Sequence, residues 1–405
     1  MKILVQKFGG TSVANSKNRN KVAEKIINKY EEGYKMVAVV SAIGREENPY
    51  ATDSLINLVD NEVIKKRELD LLMSCGEIIS AVVLSNVINR LGYETKVLTG
   101  IQGGILTNKE YGRAEILEIN PEKILNALKE NKIVIVAGFQ GGTIDGEITT
   151  LGRGGSDTTA VALGEALNCE YVEIYTDVDG IMTADPRIVP DARLIKKMHY
   201  SEVYQLAEDG AKVIHPRAVE IAERSNIEVK IKNTLTDSSG TIISNKDFVN
   251  AKKNKKFDKN KLITAITYKK NRVQVIIEVD DKTDYVRQLM KEITKNKISI
   301  DLINFFTDKK VFTIDKNDLK VLKKILNKNG YNYKVIEKCC KISAIGHRIR
   351  GIPGIMAKIY NTLAENGIKI LQTADSYTTI WCLTKEEDTN AAINALHKEF
   401  HLETE

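Results

Sequence analysis

The chain has 405 residues, of which 42% are hydrophobic and 28% charged, and its formal net charge is +6. This length is too great for one ordinary domain, so two or three domains with a substantial core are expected. Aromatic residues make up only 6% of the chain, which disfavours a nucleic-acid-binding face of interleaved basic and aromatic side chains.

The absence of targeting signals predicts a cytoplasmic protein. No run of about 20 apolar residues is apparent, so no membrane helix is expected. The first eight residues pass directly into a strand pattern without the features of a signal peptide. The five cysteines show no CxxC spacing and are interpreted as reduced thiols, with a metal site as the weaker alternative.

Residues 1–245 alternate short β-rich runs with longer helical patterns. The predicted strands are 3–8, 36–40, 95–98, 133–137, 171–175 and 228–232. Several of them are continuous β-branched runs, as expected for strands that are buried on both faces. This alternation predicts an α/β domain with a mostly parallel sheet sandwiched by helices.

Helical patterns lie between these strands. The first includes apolar positions 22, 26, 27 and 30, and the second includes apolar positions from 55 to 63. The third, 77–91, is apolar on most sides. The fourth begins at Asn120-Pro121, a capping residue followed by proline at the first helical position.

The composition changes at residues 246–261, which carry seven lysines in sixteen positions. A solvated linker is preferred over a polyanion site, because only two phenylalanines interrupt this run. Two α+β patterns follow, at 262–338 and 339–405, and each is about the size of a ferredoxin-like module. The first is predicted as strands 262–268, 273–279, 298–303 and 311–314 with helices 284–295 and 317–329. The second is predicted as strands 341–345, 368–371 and 378–383 with helices 355–366 and 389–400.

The motif KFGGTS at residues 7–12 joins the first strand to the first helix. Two glycines let the backbone approach a phosphate closely, and a helix N-terminus favours anions. Lys7 adds a positive charge at the carboxyl end of the strand, where open α/β sheets bind ligands. A plain turn with a surface lysine is the alternative interpretation of this motif taken alone.

The stretch TTLGRGGSDTTA at residues 149–160 also indicates an anion site. It is not a P-loop, because the dipeptide Gly-Lys does not occur in the chain. Its glycines form a close-approach loop, and Ser156 and Asp157 are predicted to cap the next helix. The guanidinium of Arg153 needs a partner there and matches a carboxylate in bidentate geometry. We therefore expect Lys7 to bind phosphate and Arg153 to bind a substrate carboxylate.

Residues 175–180 (YTDVDG) and 182–187 (MTADPR) follow another predicted strand. Their acidic side chains indicate a magnesium–nucleotide edge, since Mg²⁺ is held by one or two carboxylates plus phosphates. Ordinary turn residues are the alternative. A calcium loop is excluded, because the twelfth position counted from Asp177 is Ile188 and not the required glutamate.

Other polar residues complete the candidate site. Lys212 precedes a proline-started helix and is suited to clamp the far side of a triphosphate, whereas His215 is interpreted as a packed or capping residue. Glu77 is either an ordinary first-turn carboxylate or the partner of a substrate ammonium. Ser41 and Thr52 lie in a polar loop after the second strand.

Taken in order, these motifs resemble those of the aspartokinases of the amino-acid kinase family. The matching segments are KFGGTS (7–12), VVSAIG (39–44), TD (52–53), GE (76–77), GFQG (138–141), TTLGRGGSDTTA (149–160), EIYTDVDG (173–180), TADPRIVP (183–190) and AKVIHPRAVE (211–220). The likeness covers essentially the whole chain. The two C-terminal patterns resemble tandem ACT domains, which are interleaved in this family, so the border near 338–342 is not expected to be clean.

The resemblance implies an amino-acid kinase fold with two ACT domains, and phosphoryl transfer from ATP to the β-carboxylate of L-aspartate. It implies that Lys7, Asp177 and Lys212 are catalytic, and that Mg²⁺ is bound mainly by ATP rather than by protein side chains. The implied ATP-binding residues are Lys7, Phe8, Gly9, Gly10, Thr176, Asp177, Met182, Thr183, Ala184, Asp185, Pro186, Arg187, Lys212 and Val213. The implied aspartate-binding residues are Ser41, Thr52, Glu77, Arg153 and Ser156. Met182 departs from the aromatic residue often found at its position.

The same resemblance implies feedback control and assembly through the ACT domains, as a homodimer or larger oligomer. Residues 372–376 (QTADS) are closer to the diaminopimelate-sensitive type than to the lysine- or threonine-controlled type, so diaminopimelate is the first candidate effector and lysine the second. Residues 280–284 lack the usual Pro-Gly, so the first effector site is either altered or idle. The implied effector positions are Asp280, Asp281, Ile300, Asp301, Pro353 and Gly354.

Two alternatives stay open from the sequence. Acetylglutamate kinase or glutamate 5-kinase would share the fold and the phosphate-binding lysines, but the GRGGSD run and the tandem ACT pair argue against them. A catalytically silent amino-acid sensor would bind nucleotide without turnover, and the retained charged residues argue against it. A dinucleotide dehydrogenase is disfavoured, because no GxGxxG follows a strand.

Overall fold

The computed structural model describes residues 1–46, 48–211, 213–245, 262–279, 283–347 and 349–404, which form two compact units. The first unit comprises Met1–Ile181, Leu194–Ala207 and the described part of Lys212–Lys255. The second comprises Met182–Arg193, Glu208–Ala211 and the described part of Lys256–Glu405. The predicted linker, 246–261, lies outside the described residues.

The first unit contains two sheets. Its strands in chain order are β1 Ile3–Phe8, β2 Lys35–Val40, β3 Thr95–Leu98, β4 Ile105–Thr107, β5 Ile116–Ile119, β6 Ile133–Ala137, β7 Gln140–Gly142, β8 Ile148–Thr150, β9 Tyr171–Thr176, β10 Lys197–Met198, β11 Glu228–Asn233 and β12 Thr241–Ile243. Eight of them form one sheet in the order β10-β12-β11-β9-β1-β2-β6-β3, and β5-β4-β7-β8 form a smaller one. Pairing in the larger sheet is parallel except between β11 and β12. The predicted mostly parallel sheet is confirmed.

Helices cover this sheet. They are α1 Ser16–Glu31, α2 Thr52–Ile56, α3 Lys66–Arg90, α4 Glu122–Lys129, α5 Gly155–Ala166, α6 Tyr200–Glu208 and α7 Pro216–Ser225. Leu4, Phe8, Ile26, Met36 and Leu84 are fully buried in the core that α1 and α3 share with the sheet. The phenyl ring of Phe8 stacks on Tyr175 with the ring centroids 4.9 Å apart.

Two helix predictions are wrong at their bounds. The predicted helix over 55–63 ends at Ile56, and Leu58 and Val63 are exposed rather than packed. The predicted helix over 77–91 instead begins at Lys66 and continues through Gly76. A Cβ at Gly76 would lie only 2.8 Å from the Cβ of Ala42, so this glycine is needed for close packing and does not mark a helix start.

Helix α3 is long and apolar enough to cross a membrane by length and composition alone, contrary to the expectation from sequence. Half of its most apolar stretch is buried inside the protein, where the helix packs against β2, β3, β6 and β8. It also carries two buried carboxylates, Asp70 and Glu77. These features are those of a core helix.

The second unit is built on one six-stranded sheet. Its strands are β13 Ala265–Glu278, β14 Asp301–Phe305, β15 Lys309–Asp315, β16 Asn332–Ile345, β17 Gln372–Asp375 and β18 Thr379–Lys385. Its helices are α8 Thr283–Lys295, α9 Leu319–Lys328, α10 Ile355–Glu365 and α11 Thr389–Glu399. The strand order is β14-β15-β13-β16-β18-β17.

The two long central strands make this sheet continuous. The separately predicted strands 262–268 and 273–279 form the single strand β13, in which Asn271 has a positive φ of 58° and the register shifts between Lys269 and Arg272. Strand β16 likewise begins at Asn332, well before the predicted start at 341. The predicted border between the two α+β patterns, at 338/339, therefore falls inside a strand. The strand that was predicted at 368–371 lies instead at Gln372–Asp375, as β17.

A buried ion cluster lies on β16. The Nζ atom of Lys341 is 2.8 Å from Oδ1 of Asp209 and 2.6 Å from Oδ2 of Asp301. The indole nitrogen of Trp381 donates to the other oxygen of Asp209 at 2.6 Å. Burial opposes ionisation of Asp301, but Lys341 holds the pKa of that carboxyl below its usual value. One ammonium is therefore shared by two carboxylates.

We expect Lys341→Met to destabilise the second unit by about 3 kcal/mol, because removing one partner of a buried ion pair leaves an uncompensated charge. Trp381 is the one tryptophan in the sequence, so urea unfolding followed by its fluorescence reports on this unit. Lys323→Met is the control, since Lys323 forms an exposed pair with Glu337 whose loss should change the free energy of unfolding by less than about 1 kcal/mol. Equal effects of both substitutions would contradict the importance of the cluster.

Candidate active site

The carboxyl ends of β1 and β2 border a cavity of about 410 Å³ in the first unit. It is lined by Lys7, Ser41, Thr52, Asp53, Ile56, Met73, Glu77, Gly112, Phe139, Gly152, Arg153, Gly154, Gly155, Ser156 and Asp157. The structure thus brings together all five residues predicted to bind aspartate, together with Lys7. This convergence follows from the parallel sheet, whose strand ends present their loops along one edge.

Lys7 forms an ion pair in the lining of this cavity. Its Nζ atom lies 2.7 Å from Oδ1 of Asp157, and each side chain is only 12% exposed. The other carboxylate oxygen of Asp157 accepts a hydrogen bond from the backbone N–H of His215 at 3.2 Å. Asp157 therefore fixes the ammonium of Lys7 at the end of β1.

The predicted capping role of Ser156 and Asp157 is wrong. Helix α5 begins at Gly155, and Gly154, with a left-handed φ of 69°, precedes it without any side-chain cap. Ser156 and Asp157 lie within the first helical turn, where Asp157 forms the ion pair with Lys7. The capping interpretation of His215 is confirmed, because its Nδ1 accepts from the backbone N–H of Arg217 at 3.3 Å.

Arg153 lies at the tip of this turn. Its side chain is exposed and forms no hydrogen bond or ion pair with any residue that the structure describes. A guanidinium at the rim of a cavity with its donors unused is suited to a carboxylate or phosphate ligand.

Glu77 is the buried acidic group of the cavity. Its side chain is 2% exposed, and Oε1 accepts a hydrogen bond from the backbone N–H of Ala42 at 3.0 Å. Oε2 is also buried and has no hydrogen-bond partner among the described residues. Burial raises the pKa of Glu77 to about 8, although the Ala42 hydrogen bond opposes this. A buried acceptor without a partner is costly, so this oxygen is a candidate ligand contact.

Several cavity residues were not identified from the sequence. Asp157 was attributed to helix capping, and Gly112 carries no local signal. Phe139 has a φ of 68°, which is strained for a bulky residue, and its ring fills the space where a Cβ at Gly155 would lie 2.8 Å away. Such strain depends on tertiary contacts and is not visible in a sequence.

Comparison with known proteins assigns the chain to a family. Residues 2–233 match the amino acid kinase family, and residues 334–398 match an ACT domain. The chain is 43% identical over 405 residues to aspartokinase 1 of Bacillus subtilis strain 168, covering 99% of this chain and 100% of that protein. It is 37% identical over 415 residues to the aspartokinase of Bacillus sp. strain MGA3, covering 99% and 98% of the two chains. The chain belongs to the aspartokinase family.

A solved structure supports the fold. Escherichia coli aspartokinase III in complex with aspartate and ADP matches with a TM-score of 0.80 at 24% identity, covering 98% of this chain and 99% of that one. The predicted amino-acid kinase fold with C-terminal ACT domains is thereby confirmed for this aspartokinase family member.

The predicted phosphate-binding loop is shaped mainly by its neighbours. A Cβ at Gly10 would lie 2.4 Å from the carbonyl oxygen of Gly44, so close packing of two loops requires this glycine. The backbone N–H of Gly9 donates to the carbonyl oxygen of Tyr175 at 3.3 Å. Because the side chain of Phe8 is fully buried, only its backbone is available to a nucleotide.

Asp177 and Asp179 differ in their surroundings. The Asp177 carboxylate, 45% exposed, accepts from Arg45 at 2.7 Å and from the hydroxyl of Thr176 at 3.2 Å. Asp179 instead accepts from Asn233 at 2.8 Å and from Thr236 at 2.7 Å, as a residue that closes a turn. Val213 is half-buried, and Lys212, which was predicted to be catalytic, lies outside the described residues.

The other predicted nucleotide residues belong to the second unit. Thr183 and Ala184 are buried, and Oγ1 of Thr183 is 2.9 Å from Nε2 of His397. Asp185 accepts two hydrogen bonds from the guanidinium of Arg187, at 2.9 and 2.7 Å. The exposed residues of this run are Pro186 and Arg187, with Met182 partly exposed. The structure therefore does not place this run in the same unit as Lys7.

The predicted effector positions that the structure describes belong to the second unit. Asp301 is paired with Lys341, Ile300 is half-buried, and Pro353 and Gly354 are exposed just before α10. Asp280 and Asp281 lie outside the described residues. In the described ranges, no group of three or more His, Cys, Asp or Glu is arranged to hold a metal.

We expect Gly154→Ala to destabilise the first unit by more than about 2 kcal/mol, because the new Cβ would lie 2.2–2.3 Å from side-chain atoms of His215 in addition to the strain of a positive φ. Gly33→Ala is the matched control: its φ is 92°, nothing lies within 4 Å, and only about 1 kcal/mol should be lost. Thermal unfolding followed by circular dichroism measures both. Equal losses would show that the contact with His215 is not a constraint.

Proposed function

We propose that this protein transfers the γ-phosphoryl group of ATP to the β-carboxylate of L-aspartate, giving 4-phospho-L-aspartate. The observation that carries this proposal is one cavity that is lined by the exposed guanidinium of Arg153, by Lys7 and by the buried acidic side chain of Glu77. Arg153 can bind a carboxylate of an amino acid, and the Glu77 oxygen without a partner among the described residues can accept from its ammonium. Membership of the aspartokinase family supports the same reaction.

The chemistry suits these residues. The attacking β-carboxylate is already ionised at neutral pH, so no general base is required, and catalysis consists of positioning and charge neutralisation. Arg153 binds the α-carboxylate of aspartate, and the unpartnered oxygen of Glu77 accepts from its ammonium. Ser41, Thr52 and Ser156 complete the aspartate site, and Lys7, held by Asp157, lies beside the transferring group.

The nucleotide assignments follow from the resemblance. Lys7, Asp177 and Lys212 would act on the phosphates, and residues 182–187 with Val213 would line the nucleotide. Mg²⁺ bound to ATP would neutralise charge on the phosphates, and the exposed Asp177 is a side chain that could complete its coordination.

Arg153→Ala is expected to lower kcat/KM for aspartate by roughly 100-fold or more, because two charged hydrogen bonds of about 1.5–3 kcal/mol each are lost. ATP-dependent acyl-phosphate formation, trapped as the hydroxamate, measures this. Arg153→Lys should restore little, since an ammonium cannot form the bidentate contact.

Arg224→Ala is the matched control for Arg153→Ala. Arg224 is an exposed arginine of the same unit that pairs with Glu165 at 3.0 Å, away from this cavity, and its loss should leave activity unchanged. Wild-type turnover of another amino acid instead of aspartate would favour a sibling kinase. Nucleotide binding without turnover of any amino acid would favour a sensor.

The KM for aspartate should fall by roughly 25-fold as the pH rises from about 6.5 to about 8.5. Burial raises the pKa of Glu77 to about 8, so this carboxyl is largely protonated at neutral pH in the free protein. The substrate ammonium binds the ionised form of Glu77, whose fraction rises from about 3% at pH 6.5 to about 75% at pH 8.5. In Glu77→Gln the KM should be higher and independent of pH over this range, and a wild-type KM independent of pH would refute the assignment.

Regulation and assembly extend the proposal. The ACT domains would bind a feedback amino acid, diaminopimelate first and lysine second, and would join subunits into a homodimer or larger oligomer in the cytoplasm. Inhibition titrations with diaminopimelate, lysine and threonine discriminate the effectors, and inhibition by threonine alone would exclude both candidates. Light scattering at micromolar concentration measures assembly, and a monomer would contradict it.

A further inference from the structure

A second buried carboxylate lies on the helix that carries Glu77. Asp70 is two helical turns before Glu77 on α3, and it is completely buried. Oδ2 accepts from the backbone N–H of Gly112 at 2.9 Å and from that of Thr150 at 2.8 Å. Oδ1 accepts from the hydroxyl of Thr150 at 2.8 Å. All three donors belong to the smaller sheet or its β4–β5 loop, and none belongs to α3.

The two segments that Asp70 holds form one wall of the cavity. Gly112 lines the cavity directly, and Thr150 is the last residue of β8, three positions before Arg153. The segments also contact each other. The backbone N–H of Ala114 donates to the carbonyl oxygen of Thr150 at 2.9 Å, and a Cβ at Gly152 would lie 3.1 Å from the carbonyl oxygen of Gly112.

Helix α3 is therefore hydrogen-bonded to two separate segments next to the cavity. Glu77 accepts from Ala42, in the loop after β2, whereas Asp70 accepts from Gly112 and Thr150 in the wall that leads to Arg153. The separation between the carboxylate of Glu77 and the guanidinium of Arg153 thus depends on the length and direction of the Asp70 side chain. A displacement of about 1 Å at such a site can cost roughly 100-fold in rate.

We propose that Asp70 is a positioning residue that sets the spacing between Glu77 and Arg153 and thereby the affinity for the amino-acid substrate. This inference rests on the proposed function, because it assigns the two ends of aspartate to those side chains. Asp70 has no direct contact with substrate in this scheme and acts through Gly112 and Thr150.

The useful property of Asp70 is its acceptor geometry and not its charge. Burial raises the pKa of Asp70, although hydrogen bonds from Gly112 and Thr150 oppose this, so the negative charge itself is disfavoured there. An asparagine can present its carbonyl oxygen to the two backbone N–H groups and donate its amide to the Thr150 hydroxyl, which also accepts. A glutamate keeps the charge but is one methylene longer, which pushes the wall away.

The test compares Asp70→Asn with Asp70→Glu in the full-length protein. The KM for aspartate should stay within about threefold of wild type in Asp70→Asn and rise at least about tenfold in Asp70→Glu, with the KM for ATP within about twofold in both. If Asp70→Glu does not fold, a folded Asp70→Asn whose aspartate KM rises tenfold still overturns the proposal.

Other outcomes also overturn it. A normal aspartate KM in both variants would show that Asp70 is merely structural. A larger rise of the aspartate KM in Asp70→Asn than in Asp70→Glu would show that the charge of Asp70 is essential. Equal changes of the KM for ATP and the KM for aspartate would show that Asp70 does not act specifically on the amino-acid site. The wild-type assay keeps this separate from the proposed function. A wild type that does not phosphorylate aspartate defeats that function, whereas an active wild type with an unaffected Asp70→Glu defeats only the role of Asp70.

Discussion

The ion pair between Lys7 and Asp157 is the constraint around which the first unit is arranged. Lys7 lies one residue before the end of a central strand, and Asp157 lies in the first turn of α5, so the pair joins the sheet to the helix in the lining of the cavity. Both side chains are largely buried, and each would be strongly unfavourable without the other. The left-handed turn at Gly154 and the tight contact at Gly155 follow from the need to bring α5 this close to the strand end.

Helix α3 supplies the second constraint. This core helix carries Asp70 and Glu77 buried, and each accepts a backbone hydrogen bond from a different segment next to the cavity. One carboxylate is completely satisfied by protein donors, and the other keeps one oxygen without a partner among the described residues. Asp70 therefore stabilises the segments around the cavity, whereas Glu77 keeps one oxygen that is available to a ligand.

The sequence predicted the parts of the structure that local pattern determines. Buried β-branched runs such as 133–137 gave correct strands, and glycine-rich motifs at strand ends indicated the cavity. The errors occurred where a distant contact decides the outcome. The predicted start of the third helix at residue 77 was wrong, because the contact of Gly76 with Ala42, which explains a glycine inside this helix, is far away in sequence. Asp157 was interpreted as a cap because nothing local shows that it faces Lys7. The role of Asp70 was missed for the same reason, since its donors are 42 and 80 residues away.

The second unit includes residues 182–193, which affects the order in which the chain folds during synthesis. Residues 182–193 are synthesised before any strand of the six-stranded sheet, yet the hydroxyl of Thr183 contacts His397, 214 positions later. Asp209 similarly can form its ion pair with Lys341 and its hydrogen bond with Trp381 only after those residues have been synthesised. Cotranslational folding can complete most of the first unit early, but this segment reaches its native packing only after the C-terminal helix has emerged. The cavity next to Lys7 would therefore form during synthesis before residues 182–187 contacted their native partners.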